Sequence, residues 1–504
     1  MNASLDSHAH DRELIRSVLV VGGSSAAWMT ACYLKKAFPS LELTLLEAPE
    51  NATFEPVQGT GPNFQRQFFE PLGVAEDAWM RECGASFKVA TKFANWATPR
   101  SETPDDYYYQ LFDAIPECDN LPLSHYWLFN RLRGDRQAMA YACHKEPKVL
   151  DVKLAPRYRN GSRAMSYGWH VDTQLLSSFL KRLAASWGVR RIGEGLAQVE
   201  LAADGAIQSL RTERGRRLTA DLFIDCSGFR GLLIDQALRE PFVDMKECLA
   251  CDSVVWSSFG NDDALDGTDP YTSAIALNAG WAWKIPMLGR FASGYVYCSK
   301  FAGSAEAGRE LCALWGLEST RQALSQAHFR VGRRRRSWVA NCVSLGSSFG
   351  YLEPLEASNI DFTCAALEAL VEHFPDRSFS KVLRDRFNLA SETSFDKARN
   401  LAELHYLTSP RQDSPFWRAN RRALPLSERL EQGPDTCGLE PRAGYHILSG
   451  MDLVPELPLP FVRYRPDLQA KAQQMFEQIR QRSDALYAEL PTNYEFLRRL
   501  HTAG

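Results

Sequence analysis

Apolar positions change their period along the chain, and the changes mark the elements. Residues Ser17–Val21 are a continuous β-branched and leucine run that stops at Gly22-Gly23, which predicts a strand buried on both faces. Residues 26–37 then read as a helix with Trp28, Cys32 and Leu34 on its buried side, and residues 43–46 as a second short strand ending at Glu47. No comparable βαβ pattern follows, so a separate NAD(P)H domain is not expected. Residues 197–226 instead alternate as strands, with a turn at Arg214-Gly215, a buried run Leu222-Phe-Ile-Asp-Cys226 and a turn at Ser227-Gly228. Between 365 and 407 the apolar positions Leu367, Leu370, Val371, Leu383, Phe387, Phe395, Ala398, Leu401 and Leu404 fall at helical spacing, predicting a helical C-terminal layer. Without repeats or low-complexity linkers, the expected organisation is a polar leader at 1–16, a body at 17–365 and a mostly helical subdomain at 366–504.

The opening βαβ unit carries candidate chemistry. Glycines at 22 and 23 permit a tight turn, the helix start after Ser24 and before Ala27 offers unpaired N–H groups to a pyrophosphate, and Glu47 can hold ribose hydroxyls. The chain has 504 residues, 45% hydrophobic and 24% charged, with a formal net charge of −3. That excludes general disorder and gives no electrostatic reason to expect nucleic acid or an anionic membrane as partner. The one basic cluster, Arg333 to Arg336, is expected to be a solvated face. Twelve scattered cysteines, no secretory signal and no long apolar run point to the cytoplasm. Cys248 and Cys251 form a CxxC, but no second pair or nearby histidine completes a zinc site, so no metal is expected.

Longer strings give a sharper signal. Trp281-Ala-Trp283-Lys-Ile-Pro286 is a WxWxIP box, and around it stand Ala85-Ser-Phe-Lys88-Val-Ala-Thr-Lys-Phe-Ala-Asn-Trp96, Pro122-Leu-Ser-His125-Tyr-Trp127, Asp225-Cys-Ser-Gly228-Phe-Arg-Gly231, Glu353-Pro-Leu-Glu356 and Pro415-Phe-Trp417-Arg-Ala-Asn420. In this order they resemble the flavin-dependent tryptophan halogenases along almost the whole chain. The resemblance implies an α/β flavin-monooxygenase-like fold with an N-terminal dinucleotide-binding unit, mixed sheets and a helical C-terminal layer.

It also implies a chemistry. A separate flavin reductase supplies reduced FAD, and oxygen and halide yield hypohalous acid inside the protein. The tryptophans of the WxWxIP box (Trp281, Trp283, with Pro286) keep the arene from being hydroxylated directly. Lys88 matches the lysine that presents electrophilic halogen to an indole, and Glu356 the carboxylate that offsets charge developing on the ring. His125, Trp127 and Trp417 match substrate positions, and Ser358 with Asn359 the halide-binding pair. Gly22, Gly23, Ser24, Ala27, Glu47, Thr60, Pro62, Asp225 and Gly228 match cofactor positions. The oligomeric expectation extends no further than a homodimer.

The departures from the family pattern cluster at these sites. The turn reads Gly22-Gly23-Ser24-Ser25-Ala26-Ala27, with Ser24 where a glycine lets the backbone approach the pyrophosphate, which predicts weaker FAD binding. The strap usually written GxGEATxP reads Glu55-Pro56-Val57-Gln58-Gly59-Thr60-Gly61-Pro62, and the usual Ser-Thr-Gly after the glutamate reads Ala357-Ser358-Asn359. The segment after Asn420 is short, so free tryptophan is expected to be a poorer substrate than an indole derivative, a peptide-held tryptophan or a carrier-tethered arene. Three readings stay open: a halogenase of unusual scope, a halide-independent flavin oxidase or hydroxylase, and a member that binds little flavin and acts without cofactor or as a pathway binding partner.

Overall fold

The computed structural model describes residues 14–49, 56–104, 106–318, 322–355, 359–420 and 441–502. It is a mixed α/β protein of two compact, interleaved units. One gathers Met1–Cys83, Val171–Leu249 and Phe329–Ala398, the other Gly84–His170, Ala250–His328 and Arg399–Gly504. This cuts across the sequential body and C-terminal subdomain expected above. The reason lies in the strands, because the two largest sheets are completed by partners from distant stretches of chain.

In the first unit a six-stranded sheet runs in the order Arg190–Ile192, Glu42–Leu46, Ser17–Val21, Leu222–Asp225, Cys342–Ser344, Trp338–Val339. All its pairs are parallel except the last. The two continuous apolar runs, Ser17–Val21 and Leu222–Asp225, are neighbours at its centre. Covering on both faces is what a parallel sheet needs, and Val20, Phe223 and Ile224 are fully buried. The helix Ser25–Ala37 buries Trp28, Cys32 and Leu34 as expected.

The second unit holds a seven-stranded sheet in the order Ser325–His328, Ser253–Gly260, Arg290–Tyr297, Gly280–Met287, Tyr271–Leu277, Ala90–Ala94, Tyr107–Leu111. The WxWxIP box is its central strand. Pro286 is tolerated there because the partner strand Tyr271–Leu277 pairs with this one only as far as Lys284, so no ladder bond is lost at the proline. Trp281 and Trp283 are both buried.

The basic cluster corrects one expectation. Arg333 and Arg334 are each 5% exposed rather than solvated. Arg333 is paired with Glu392 and Asp396, Arg334 lies 2.5 Å from Asp235, and Arg336 makes a forked contact with Glu240 at 3.0 and 2.6 Å. Buried guanidinium groups persist only when paired in this way. Their acidic partners are remote in sequence, which is why the run alone looked like a surface. Neither Cys248 nor Cys251 is in a disulfide, Cys251 Sγ lies 3.7 Å from the Tyr406 hydroxyl, and no metal-binding cluster occurs among the described residues.

Candidate active site and cofactor cleft

The first unit contains a cleft of about 710 Å³ at the carboxyl end of its central strands. Gly22, Gly23, Ser24 and Ala26 line it together with Glu47, Gln58, Gly228, Arg230, Gly346 and Asn359. The size is within the roughly 300–1,000 Å³ of ligand sites, and a switch between parallel strands is where such folds bind nucleotides. Gly22 sits at φ 137°, and a Cβ there would run into the Cys226 carbonyl, so only glycine fits. Gly346, at φ 61°, passes so close to Ala26 that a Cβ would lie 3.0 Å from the alanine methyl. Glu47 is held by Arg191 at 2.5 Å and Lys181 at 3.4 Å, which aim its carboxylate at the end of the second strand.

Several cofactor expectations change. Ser24 has φ −72° and ψ 171°, ordinary extended backbone, so it imposes no conformational restriction; it acts as the residue before the helix, its carbonyl accepting from Ala27 and Trp28. Asp225 does not line the cleft. Its carboxylate is fully buried and accepts from Ser227 N and Oγ and from the Leu233 and Ile234 N–H groups, fixing the turn that presents Ser227 and Gly228. Within the strap, Thr60 is buried and Pro62 half-buried, and neither lines the cleft. Ala27 is fully buried in helix packing. Glu356 and Ser358 lie outside the described residues, as do Glu55 and Ala357.

The second unit places Lys88 at the end of the short strand Ser86–Lys88, half-buried, with its Nζ 5.6 Å from the centre of the Phe112 ring. Beside it runs a chain of hydrogen bonds. Ser86 Oγ donates to the Pro286 carbonyl at 2.6 Å and therefore accepts from His170 Nδ1 at 3.1 Å. His170 Nε2 is left to accept from Thr272 Oγ1 at 2.9 Å. Complete burial, and then the Lys88 charge, push His170 down to about 3, so it is neutral at physiological pH. The lysine strand and the WxWxIP strand are thereby tied at one point, through Ser86 of the lysine string and a histidine that no motif marks.

The aromatic substrate positions are less uniform. Trp417 is 1% exposed, its N–H donates to the Leu277 carbonyl at 2.8 Å, and it packs against Trp96, Tyr406 and Phe416. Trp127 is likewise buried and donates to the Gln137 carbonyl. Both indoles are packed into the interior, and Lys88 lies against the Phe112 ring. His125 is half-buried, shifted down by burial, and meets the Tyr445 hydroxyl at 3.3 Å. Phe112, just after the strand Tyr107–Leu111, and Tyr445, in the helix Pro441–Gly450, lie outside every string that carried the resemblance, so nothing in the sequence singled them out.

A tryptophan halogenase family model matches residues 17–463. The chain belongs to the tryptophan halogenase family. It is 43% identical to the tryptophan 7-halogenase RebH of Lentzea aerocolonigenes over 97% of this chain and 99% of that one. Identity is 41% to the tryptophan 6-halogenase ThaL of Streptomyces albogriseolus, with the same coverage. The crystal structure of tryptophan 6-halogenase SttH from Streptomyces toxytricini superposes with a TM-score of 0.90 at 33% identity, over 96% of this chain and 99% of that one. This tryptophan halogenase is thus a flavin-dependent oxidoreductase, and the family takes its reduced FAD from a separate reductase. The cleft fits FAD: a glycine turn that no side chain could enter, a helix N-terminus and a positioned carboxylate at the second strand's end. No described helix is long and apolar enough to cross a membrane.

Proposed function

We propose that this halogenase acts on the indole ring of tryptophan or a tryptophan derivative, in the cytoplasm, with Lys88 as the group that delivers halogen. The observation that carries the reading is Lys88 itself, an ammonium set against the face of Phe112 and beside a histidine kept neutral. Reduced FAD, when bound, supplies the oxygen activation that turns halide into hypohalous acid. Lys88 donates a hydrogen bond to the oxygen of that acid and directs its halogen to one ring carbon. The arene loses a proton, hydroxide leaves as water, and Glu356 offsets the positive charge on the ring meanwhile. Ser358 and Asn359 are the proposed halide contacts, and Asn359 lines the cleft. Phe112 and His125 offer flat faces for an indole. The relatives' names favour tryptophan; the short segment after Asn420 favours an indole presented without a free amino-acid end.

The test is mass spectrometry of products from free tryptophan, a tryptophan-containing peptide and simple indoles, with reductase, FAD and halide each omitted in turn. A chlorinated or brominated product that needs all of them is expected. Product gained without halide and carrying an added oxygen would assign a hydroxylase instead.

A further inference from the structure

The strap that departs most from the family pattern is fastened to a helix start. Gly61 N donates to both carboxylate oxygens of Asp361, at 3.0 and 3.2 Å. Gln58 returns the contact, its Oε1 accepting from the Ile360 N–H at 3.3 Å. Ile360 and Asp361 lie in the first turn of the helix Asn359–Glu372, where N–H groups have no partner within the helix and a carboxylate is favoured by the helix dipole. Gln58 and Asn359 both line the flavin cleft. The two bonds therefore join a wall of the cleft to the helix that carries Asn359.

We propose that Asp361 is a positioning residue for FAD: it clasps the strap segment 57–61 to the helix Asn359–Glu372, so that the cleft wall is formed before the cofactor arrives. The inference rests on the assignment of this cleft to flavin. A strap already ordered loses less conformational freedom when the ligand binds, and the saving appears as affinity. An aspartate suits the role because a charged acceptor makes the stronger hydrogen bond to a backbone N–H.

Two readouts on the full-length protein test this. Hydrogen exchange without FAD should show segment 57–61 protected in wild type and exchanging faster in Asp361→Ala. Titration of FAD, followed by flavin fluorescence, should show affinity lower on the order of tenfold in Asp361→Ala. Asp361→Asn, which keeps one acceptor oxygen, should stay within about threefold of wild type. Glu368→Ala removes a carboxylate further along the same helix, one that accepts from Gln67, and should leave FAD affinity unchanged. Unchanged exchange in Asp361→Ala would show there is no clasp. Faster exchange with unchanged FAD affinity, or an Asp361→Asn variant as weak as Asp361→Ala, would overturn the positioning role. A wild-type protein that takes up no FAD would instead remove the flavin assignment, and the positioning role with it.

Discussion

At the scale of single residues, two near neighbours in the nucleotide turn respond in opposite ways to a change of side chain. Gly22→Ala meets the Cys226 carbonyl in a backbone conformation closed to alanine, so flavin binding should be lost and the thermal midpoint lowered; a titration at wild-type affinity would refute the fit. Ser24→Gly relieves no strain, since the serine is already extended. It should tighten FAD by no more than about threefold, read in the same titration. A larger gain would restore the view that Ser24 blocks the pyrophosphate. Gly22 and Glu47 were legible because their chemistry is local to a strand and turn. Asp225 was legible as important but not in its role, since its partners at Leu233 and Ile234 only come into reach when the turn folds back.

At the scale of elements, the WxWxIP strand shows what a motif leaves out. Its second tryptophan has an unrecognised partner: an ideal Cβ on Gly294, in the neighbouring strand, would lie 2.5 Å from the Trp283 ring. Gly294→Ala should overpack this contact and cost about 1–3 kcal/mol, measurable by denaturant unfolding. It should also displace Trp283 and raise the proportion of oxygenated product. Full stability and clean halogenation in the variant would mean the ring is not held by that contact. The strands Ser17–Val21, Glu42–Leu46 and Leu222–Asp225 and the helices Ser25–Ala37 and Lys381–Thr408 were readable because continuous apolar runs and period 3.6 record burial directly. Pairing was not readable, because Gly280–Met287 finds its neighbours by sheet register, which no local pattern encodes.

For the whole molecule, burial of histidines fixes a pH response. His144 and His170 are pushed down to about 3 and His446 to about 4, chiefly by burial. Each stays neutral in the fold while the unfolded chain binds a proton below about pH 6.5. Stability should therefore fall as pH drops below that value, by up to about 1.4 kcal/mol per pH unit for each histidine. Glu146 opposes this: burial and then Asp113 raise it to about 7, so it favours the fold as pH falls from about 7 toward 4.5. Three histidines outweigh one carboxyl, and the melting temperature should decline from pH 7 to pH 5. A melting temperature that rises over that interval would contradict the burial of these side chains.

The proposed route of halogen delivery turns on Lys88, and one comparison tests it most directly: halogenated product against flavin oxidation in wild type and Lys88→Ala, with reductase, FAD and halide supplied. In the proposed role the lysine acts after oxygen activation, so the variant should keep oxidising flavin while halogenated product falls below detection. Lys88→Arg should fail nearly as badly, because a planar guanidinium keeps the charge but cannot present halogen from the same position. Halogenation by Lys88→Ala at the wild-type rate would contradict the account.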